Sequence, residues 1–368
     1  MYRNNQNYGG LLQAYALVKY LNQFEHVSAE QICTDFSSDT VKKVKRNESG
    51  VKSLARSTFE RCITILWQRK FKIRAESLTK FEKSIPHSYK VYNHSTMPEC
   101  EALYDLFIAG SDQVWNMDWY KPEYFLNFVS EKRKKYSYAA SMPNVNLTED
   151  QARIVKISLN NFASISVRED KTAVYLKNKL GIDSSVVLDP TMLLTLDKWE
   201  EVVEKIDLPK KKYTFCYFLG GSRSQREFAN QFAKLTRTEI VTLPFIGCIN
   251  SADLSFGDHK LYNVSPKQFL FLIKNAEYVI TDSFHAMVFS ITFQTKFFAV
   301  SRIGGESMGA RVSELLKLFD MEYRYLSPGK EIETCRTFKD QEMNSATEEF
   351  NILKDRSEHF LQGLLASQ

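Results

Sequence analysis

From residue 103 onward the chain is built of short apolar runs that each stop at a small or polar residue. No other feature constrains its fold as much. The runs are YDLFIAGSDQVW (104–115), KKYSYAAS (134–141), FASISVRED (162–170) and SSVVLDPT (184–191). Stretches with helical periodicity, LTEDQARIVKISLN (147–160) and KTAVYLKNKL (171–180), separate some of them. The pattern restarts with YTFCYFLGGS (213–222), TEIVTLPF (238–245) and EYVITDS (277–283). Strand then helix, repeated, predicts βα units and largely parallel sheets. A length of 368 residues exceeds one typical core, so two domains are expected, with the boundary near Pro209-Lys210-Lys211-Lys212.

Composition narrows the class. A hydrophobic fraction of 43% and a charged fraction of 25% fit a folded globular chain. The formal charge of +5 suits an anionic small molecule and is too weak to point to nucleic acid, so no nucleic-acid partner is expected. The six cysteines show no CxxC pair and no metal-ligand spacing, so they read as reduced thiols and no metal is expected. The opening MYRNNQNYGG has no apolar core for a signal peptide, and no apolar stretch is long enough to span a bilayer. A cytoplasmic protein is the expectation.

In parallel sheets, ligands gather outside the carboxyl ends of strands. His285 follows the run Tyr278-Val279-Ile280 and the polar Thr281-Asp282-Ser283, in the first turn of a helix capped by Asp282 or Ser283. Backbone N–H groups there attract an anion, and imidazole exchanges protons near neutral pH. A structural histidine fits the local pattern too. Arg168 in SVRED emerges at a strand end, suited either to a ligand carboxylate or phosphate or to an ion pair with Glu169. Asp189 precedes Pro190, which stops the strand; it orients a reacting group or caps the next turn. In GSDQVWN (110–116), a glycine turn is followed by Asp112, Gln113 and Asn116 beside Trp115, a combination that serves a carbohydrate site or a capped helix with the indole in the core. There is no GxGxxG, GxxxxGK[ST] or HExxH motif.

Elsewhere the signals are structural. Asn7-Tyr8-Gly9-Gly10 reads as a tight turn before a helix over 11–24. Residues 38–60 read as an exposed polar segment, and 331–368 as a loop plus a terminal amphipathic helix packing on a domain face.

Taken together, these strings resemble the polysaccharide pyruvyl transferase family. The matches are NYGGLLQAYAL (7–17), IAGSDQVWN (108–116), YAAS (138–141), SVRED (166–170), LDPTMLL (188–194) with Trp199 beyond it, and TDSFHAMVFSI (281–291). They occur in family order over about residues 7–325. The resemblance implies a GT-B-like α/β fold of two Rossmann-like domains facing across a cleft. Residues 1–209 would form the acceptor side and 210–330 the domain carrying His285, with 331–368 packing on a domain face. It also implies transfer of the pyruvyl group of phosphoenolpyruvate to sugar hydroxyls of a surface polysaccharide precursor, without a cofactor. His285 would be the general acid. Arg168, Asp189, Ser283 and Arg311 would serve the donor, and Asn7, Tyr8, Gln13, Ser111, Asp112, Gln113 and Trp115 the acceptor. The implied partners are phosphoenolpyruvate and a sugar or lipid-linked oligosaccharide; there is no transmembrane segment, and transient membrane-surface contact is open to it.

The chain departs from the family pattern in three places. The family's strand before the N-Y-G turn is absent, so the first sheet is expected to lack a strand, or translation to start upstream of Met1. Ser283-Phe284 stands where some branches carry Arg-Leu, leaving Arg302 or Arg311 to supply a cation. Ala286 replaces a common glycine. Two other readings follow: a nucleotide-sugar glycosyltransferase, and a non-catalytic glycan-binding member of a polysaccharide assembly.

Overall fold

The computed structural model describes residues 7–36, 68–70, 72–208, 211–245, 250–301, 306–326, 329 and 331–366. The polar stretch 38–60, Pro209, Lys210 and Arg302 lie outside them.

The first unit holds α1 (Tyr8–Leu21), β1 (Gln31–Thr34), α2 (72–82), β2 (His87–Tyr92), β3 (Phe107–Ala109), β4 (Lys135–Ser137), α3 (Glu149–Leu159), β5 (Ser166–Val167), α4 (Asp170–Tyr175), β6 (Ser185–Val186) and α5 (Leu196–Glu200). All its strand pairs are parallel: β1 with β2, β3 with β4, β5 with β6. Single bridges from Tyr136 to Ser164 and from Ala140 to Val167 join β4 to β5. β1 and β3 do not pair among the described residues. Both instead line one cavity of about 1520 Å³, which Asn7 at the start of α1 also lines. Among the described residues, the pairing of the first sheet thus breaks between β1 and β3.

The second unit holds β7 (Tyr213–Tyr217), α6 (Arg223–Thr236), β8 (Glu239–Thr242), α7 (Ser251–Leu254), β9 (His259–Lys260), α8 (Pro266–Lys274), β10 (Tyr278–Thr281), α9 (Phe284–Thr292), β11 (Phe297–Val300), α10 (Glu306–Lys317) and β12 (Tyr325–Leu326). Its strands form one six-stranded sheet in the order β12-β11-β10-β7-β8-β9, parallel throughout. A parallel sheet is covered on both faces, and every residue of β7, β10 and β11 is buried. Helix α9 is buried along Phe284–Ile291, the mark of a helix surrounded by core.

Helix α1 joins the two units. Tyr8 stacks on Phe269 of α8 at 4.7 Å, and its hydroxyl donates to the Val264 carbonyl at 2.8 Å. Burial, slightly offset by the Arg74 charge, pushes that phenol up to about 12, so it remains a donor. Arg74 of α2 donates to the carbonyls of Tyr262, Pro244 and Leu261 at 2.9–3.2 Å. Such charge-assisted bonds contribute about 1.5–3 kcal/mol each. At the carboxyl end, α11 (Glu331–Phe338) forms where a loop is expected and buries Cys335 against the second sheet. Helix α12 (Glu348–Ala366) returns to the first unit, where the Ser357 hydroxyl accepts from Leu188 N at 2.8 Å. No helix among the described residues is long and apolar enough to cross a membrane.

Candidate active site

The two sheets bring their carboxyl ends together around Asp189 and His285. Asp189 lies just past β6 and caps the turn Pro190–Met192. Its Oδ1 accepts from the Thr191 amide at 3.0 Å and hydroxyl at 2.7 Å. Its Oδ2 accepts from Gln13 Nε2 at 2.5 Å and Arg168 Nη1 at 2.8 Å. Burial by itself would raise this carboxyl's pKa; the His285 imidazole, the Arg168 guanidinium and Thr191 outweigh it and hold Asp189 well below the usual carboxylate range. Asp189 is thus a fixed anion, with no oxygen left for proton exchange.

Arg168 stands between two carboxylates. Besides Asp189, its Nε and Nη2 donate to Glu169 Oε1, each at 3.4 Å, and the guanidinium lies 4.9 Å from the centre of the Phe284 ring. Burial opposes its charge, but Glu169, Asp189 and Asp112 more than compensate and push its pKa above the ordinary value. Glu169 is itself anchored by the Ser141 hydroxyl at 2.6 Å. Arg168 thus makes the expected ion pair with Glu169, and it reaches the histidine cluster through Asp189.

His285 occupies the first turn of α9, 7% exposed. Its Nε2 is 3.6 Å from Asp189 Oδ2, an ion-pair distance beyond hydrogen-bond reach, and has no hydrogen-bond partner although buried. The other edge of the ring lies against α1, where a Cβ on Gly9 would stand 2.0 Å from Nδ1. Only glycine fits at position 9. The expected side-chain cap of α9 is absent. The Asp282 carboxylate turns away to accept from Leu219 N at 2.7 Å and Gly220 N at 3.0 Å, and the Ser283 amide donates to Thr281 Oγ1 at 3.0 Å. The first turn of α9, which carries His285, therefore has no side-chain cap.

The remaining residues of the sequence reading divide. Gln13 Nε2 also donates to Ser111 Oγ at 2.8 Å, which ties α1, β3 and β6 into one network. Asn7 caps α1 through its Oδ1, accepting from Gly9 N at 3.0 Å. Asn7, Gln13, Ser111, Asp112 and Gln113 all line the 1520 Å³ cavity, and Asp112 holds a left-handed backbone with φ 78°. Arg311 is buried on α10, close enough to Glu314 to oppose the rise that burial, Glu169 and Asp170 impose on that carboxyl. Two acceptor assignments need correction. Tyr8 is 1% exposed and packs between the units, because its ring fills the α1–α8 contact. Trp115 is 0% exposed, stacked on Phe125 at 5.7 Å with its N–H donated to the Tyr124 carbonyl, so its faces belong to the core.

A family model described as "Polysaccharide pyruvyl transferase" matches residues 7–303. The chain belongs to the polysaccharide pyruvyl transferase family. The matched span contains every residue of the Asp189–His285 cluster, and Arg311 lies beyond it. Membership makes the protein a transferase whose acceptor is a sugar or polysaccharide. Among solved structures the chain is similar to the crystal structure of UDP-GlcNAc 2-epimerase from Neisseria meningitidis bound to UDP-GlcNAc. The TM-score is 0.52 at 9% identity, covering 98% of each chain. That likeness places the fold, a GT-B-like pair of Rossmann-like units. No curated protein matches the sequence.

The sequence reading missed Gly9 and Glu169 as members of the site. Gly9 carried a signal: a glycine pair inside the first turn of a helix is costly unless another group approaches closely. Glu169 was read only as a partner for Arg168.

Proposed function

We propose that this family member transfers the pyruvyl group of phosphoenolpyruvate to two hydroxyls of a sugar in a surface or exopolysaccharide precursor, forming a cyclic ketal and releasing phosphate. The observation that carries the proposal is His285 Nε2: buried, without a hydrogen bond, and held between a fixed anion and the uncapped start of a helix. A buried polar atom without a partner in such a place fits a group waiting for substrate.

In this reading, His285 gives its proton to the methylene carbon of phosphoenolpyruvate, and C2 becomes cationic. One sugar hydroxyl adds to C2 and returns a proton to the imidazole; the second adds as the C2–O bond to phosphate breaks, and its proton leaves with the phosphate. The helix start and the N–H groups of Arg168 not taken by carboxylates suit the donor's carboxylate or phosphate. Asp189 orients the imidazole and is already too well satisfied to act as a base. Gln13, Ser111, Asp112 and Gln113 lie where the acceptor hydroxyls would enter. General acid catalysis of this kind contributes about 10²–10⁴-fold.

Thermal shift tests the donor. Phosphoenolpyruvate should raise the melting midpoint, since a ligand that binds only the folded state stabilises it, and nucleotide diphosphates should not. A shift with a nucleotide diphosphate alone would replace this reading with glycosyl transfer.

A further inference from the structure

The indole exposed near the acceptor side is Trp119, four positions after the buried Trp115. It is 56% exposed and its neighbour Tyr120 is 38% exposed. Trp115 and Trp199, the other described tryptophans, are both at 0%. Trp119 closes a single 3-10 turn, Met117–Trp119, and that turn is built rather than loose. Asn116, 6% exposed, accepts from Asp118 N at 3.0 Å through its Oδ1, and its carbonyl accepts from Trp119 N at 3.3 Å. The Asn116 amide in turn donates to Gln113 Oε1 at 3.3 Å.

Trp119 lines the same cavity as Gln113, Asp112, Ser111 and Gln13. Gln13 and Ser111 are bonded to each other, and Gln13 to Asp189, whose carboxylate faces His285. One cavity thus carries an exposed indole together with amide and carboxyl groups, and Gln13 links its wall to Asp189 and, through Asp189, to His285. An indole face is electron-rich and attracts the slightly positive C–H groups on one face of a pyranose, while adjoining amides and carboxylates take its hydroxyls.

We infer that Trp119 is the stacking platform of an acceptor subsite that holds a pyranose ring at the carboxyl end of β3. The inference rests on the acceptor being a sugar, as proposed above. It assigns recognition of the glycan's C–H face to Trp119 and of its hydroxyls to Gln113 and Asp112.

The test uses saturation-transfer NMR on the full chain with three methyl pyranosides, of glucose, galactose and N-acetylmannosamine, and with Trp119→Ala and Trp119→Phe. At least one glycoside should receive saturation on its ring C–H protons. That transfer should fall at least about two-fold in Trp119→Ala and less in Trp119→Phe, the loss expected for one aromatic contact. Equal transfer in wild type and Trp119→Ala, or no transfer to any of the three, overturns the inference. The phosphoenolpyruvate thermal shift, run on the same samples, should be the same in wild type and Trp119→Ala. Its absence from both would remove the donor reading and leave the glycoside result to decide the subsite by itself.

Discussion

The two sheets hold their functional ends in different ways. The second is six strands in unbroken parallel register, and its strand-end aspartate, Asp282, is spent on backbone, joining the end of β10 to the loop after β7. In the first, β1 and β3 do not pair among the described residues, and β5 and β6 are only two residues each. Its strand-end aspartate, Asp189, takes one backbone amide, of Thr191, and is otherwise spent on side chains: Gln13, Arg168 and Thr191. The second unit therefore presents His285 from a rigid helix packed in its core. The first presents charges whose positions depend on one another. Backbone pairing makes a platform; side-chain pairing makes a site that one substitution can dismantle.

Matched aspartate substitutions test that contrast. Asp189→Ala has the largest expected effect, because it leaves Arg168 buried with Glu169 as its remaining carboxylate partner. Breaking a buried pair costs about 3–5 kcal/mol, readable as a lower urea midpoint. The acid limb of stability should change with it. Asp189 titrates below its usual value when folded and near ~3.9 when unfolded, so the unfolded chain takes the proton first. Its contribution is complete above that pH and is lost as pH falls below it. Asp189→Asn should flatten this loss, and an unchanged acid limb would show that Asp189 is not the anion described.

Gly9→Ala comes next and separates activity from stability. The new Cβ would stand 2.0 Å from His285 Nδ1, so the ring must move. A displacement of about 1 Å at a reacting group costs about 100-fold in turnover. Gly9→Ala should therefore lower kcat steeply. Normal turnover in this variant would mean that the α1–α9 contact does not position the histidine. Asp282→Ala is expected to be milder: it removes two amide bonds to a charged acceptor, about 1.5–3 kcal/mol each, and the six-stranded register survives. Asp189→Ala removes four bonds and strands a buried charge. Should Asp282→Ala cost more than Asp189→Ala, the contrast between the sheets would be reversed.

Much of this was legible in the chain, for reasons that also explain the rest. Runs such as YTFCY and YVIT are continuous and apolar because both faces of their sheet are covered, and they stand out. Among the described residues QICT (31–34) and HSYKVY (87–92) pair only with each other, and they carry polar residues and give no such signal. His285, Arg168, Asp189, Gln13 and Ser111 were named from motifs, and the fold brings them together. What composition cannot show is which way a ring faces. Trp115 and Trp119 sit in one short segment, and only packing against Phe125 and Phe162 decides that the first is core and the second is surface. The contact of Gly9 with His285 joins two ends of the chain, so no local pattern records it.

The most direct test of the central claim is phosphorus NMR of phosphoenolpyruvate incubated with the protein and a pool of pyranosides, in wild type and His285→Ala. The account predicts inorganic phosphate that appears only when the sugars are present and is lost with the histidine. Acceptor-dependent phosphate release that survives His285→Ala would contradict it.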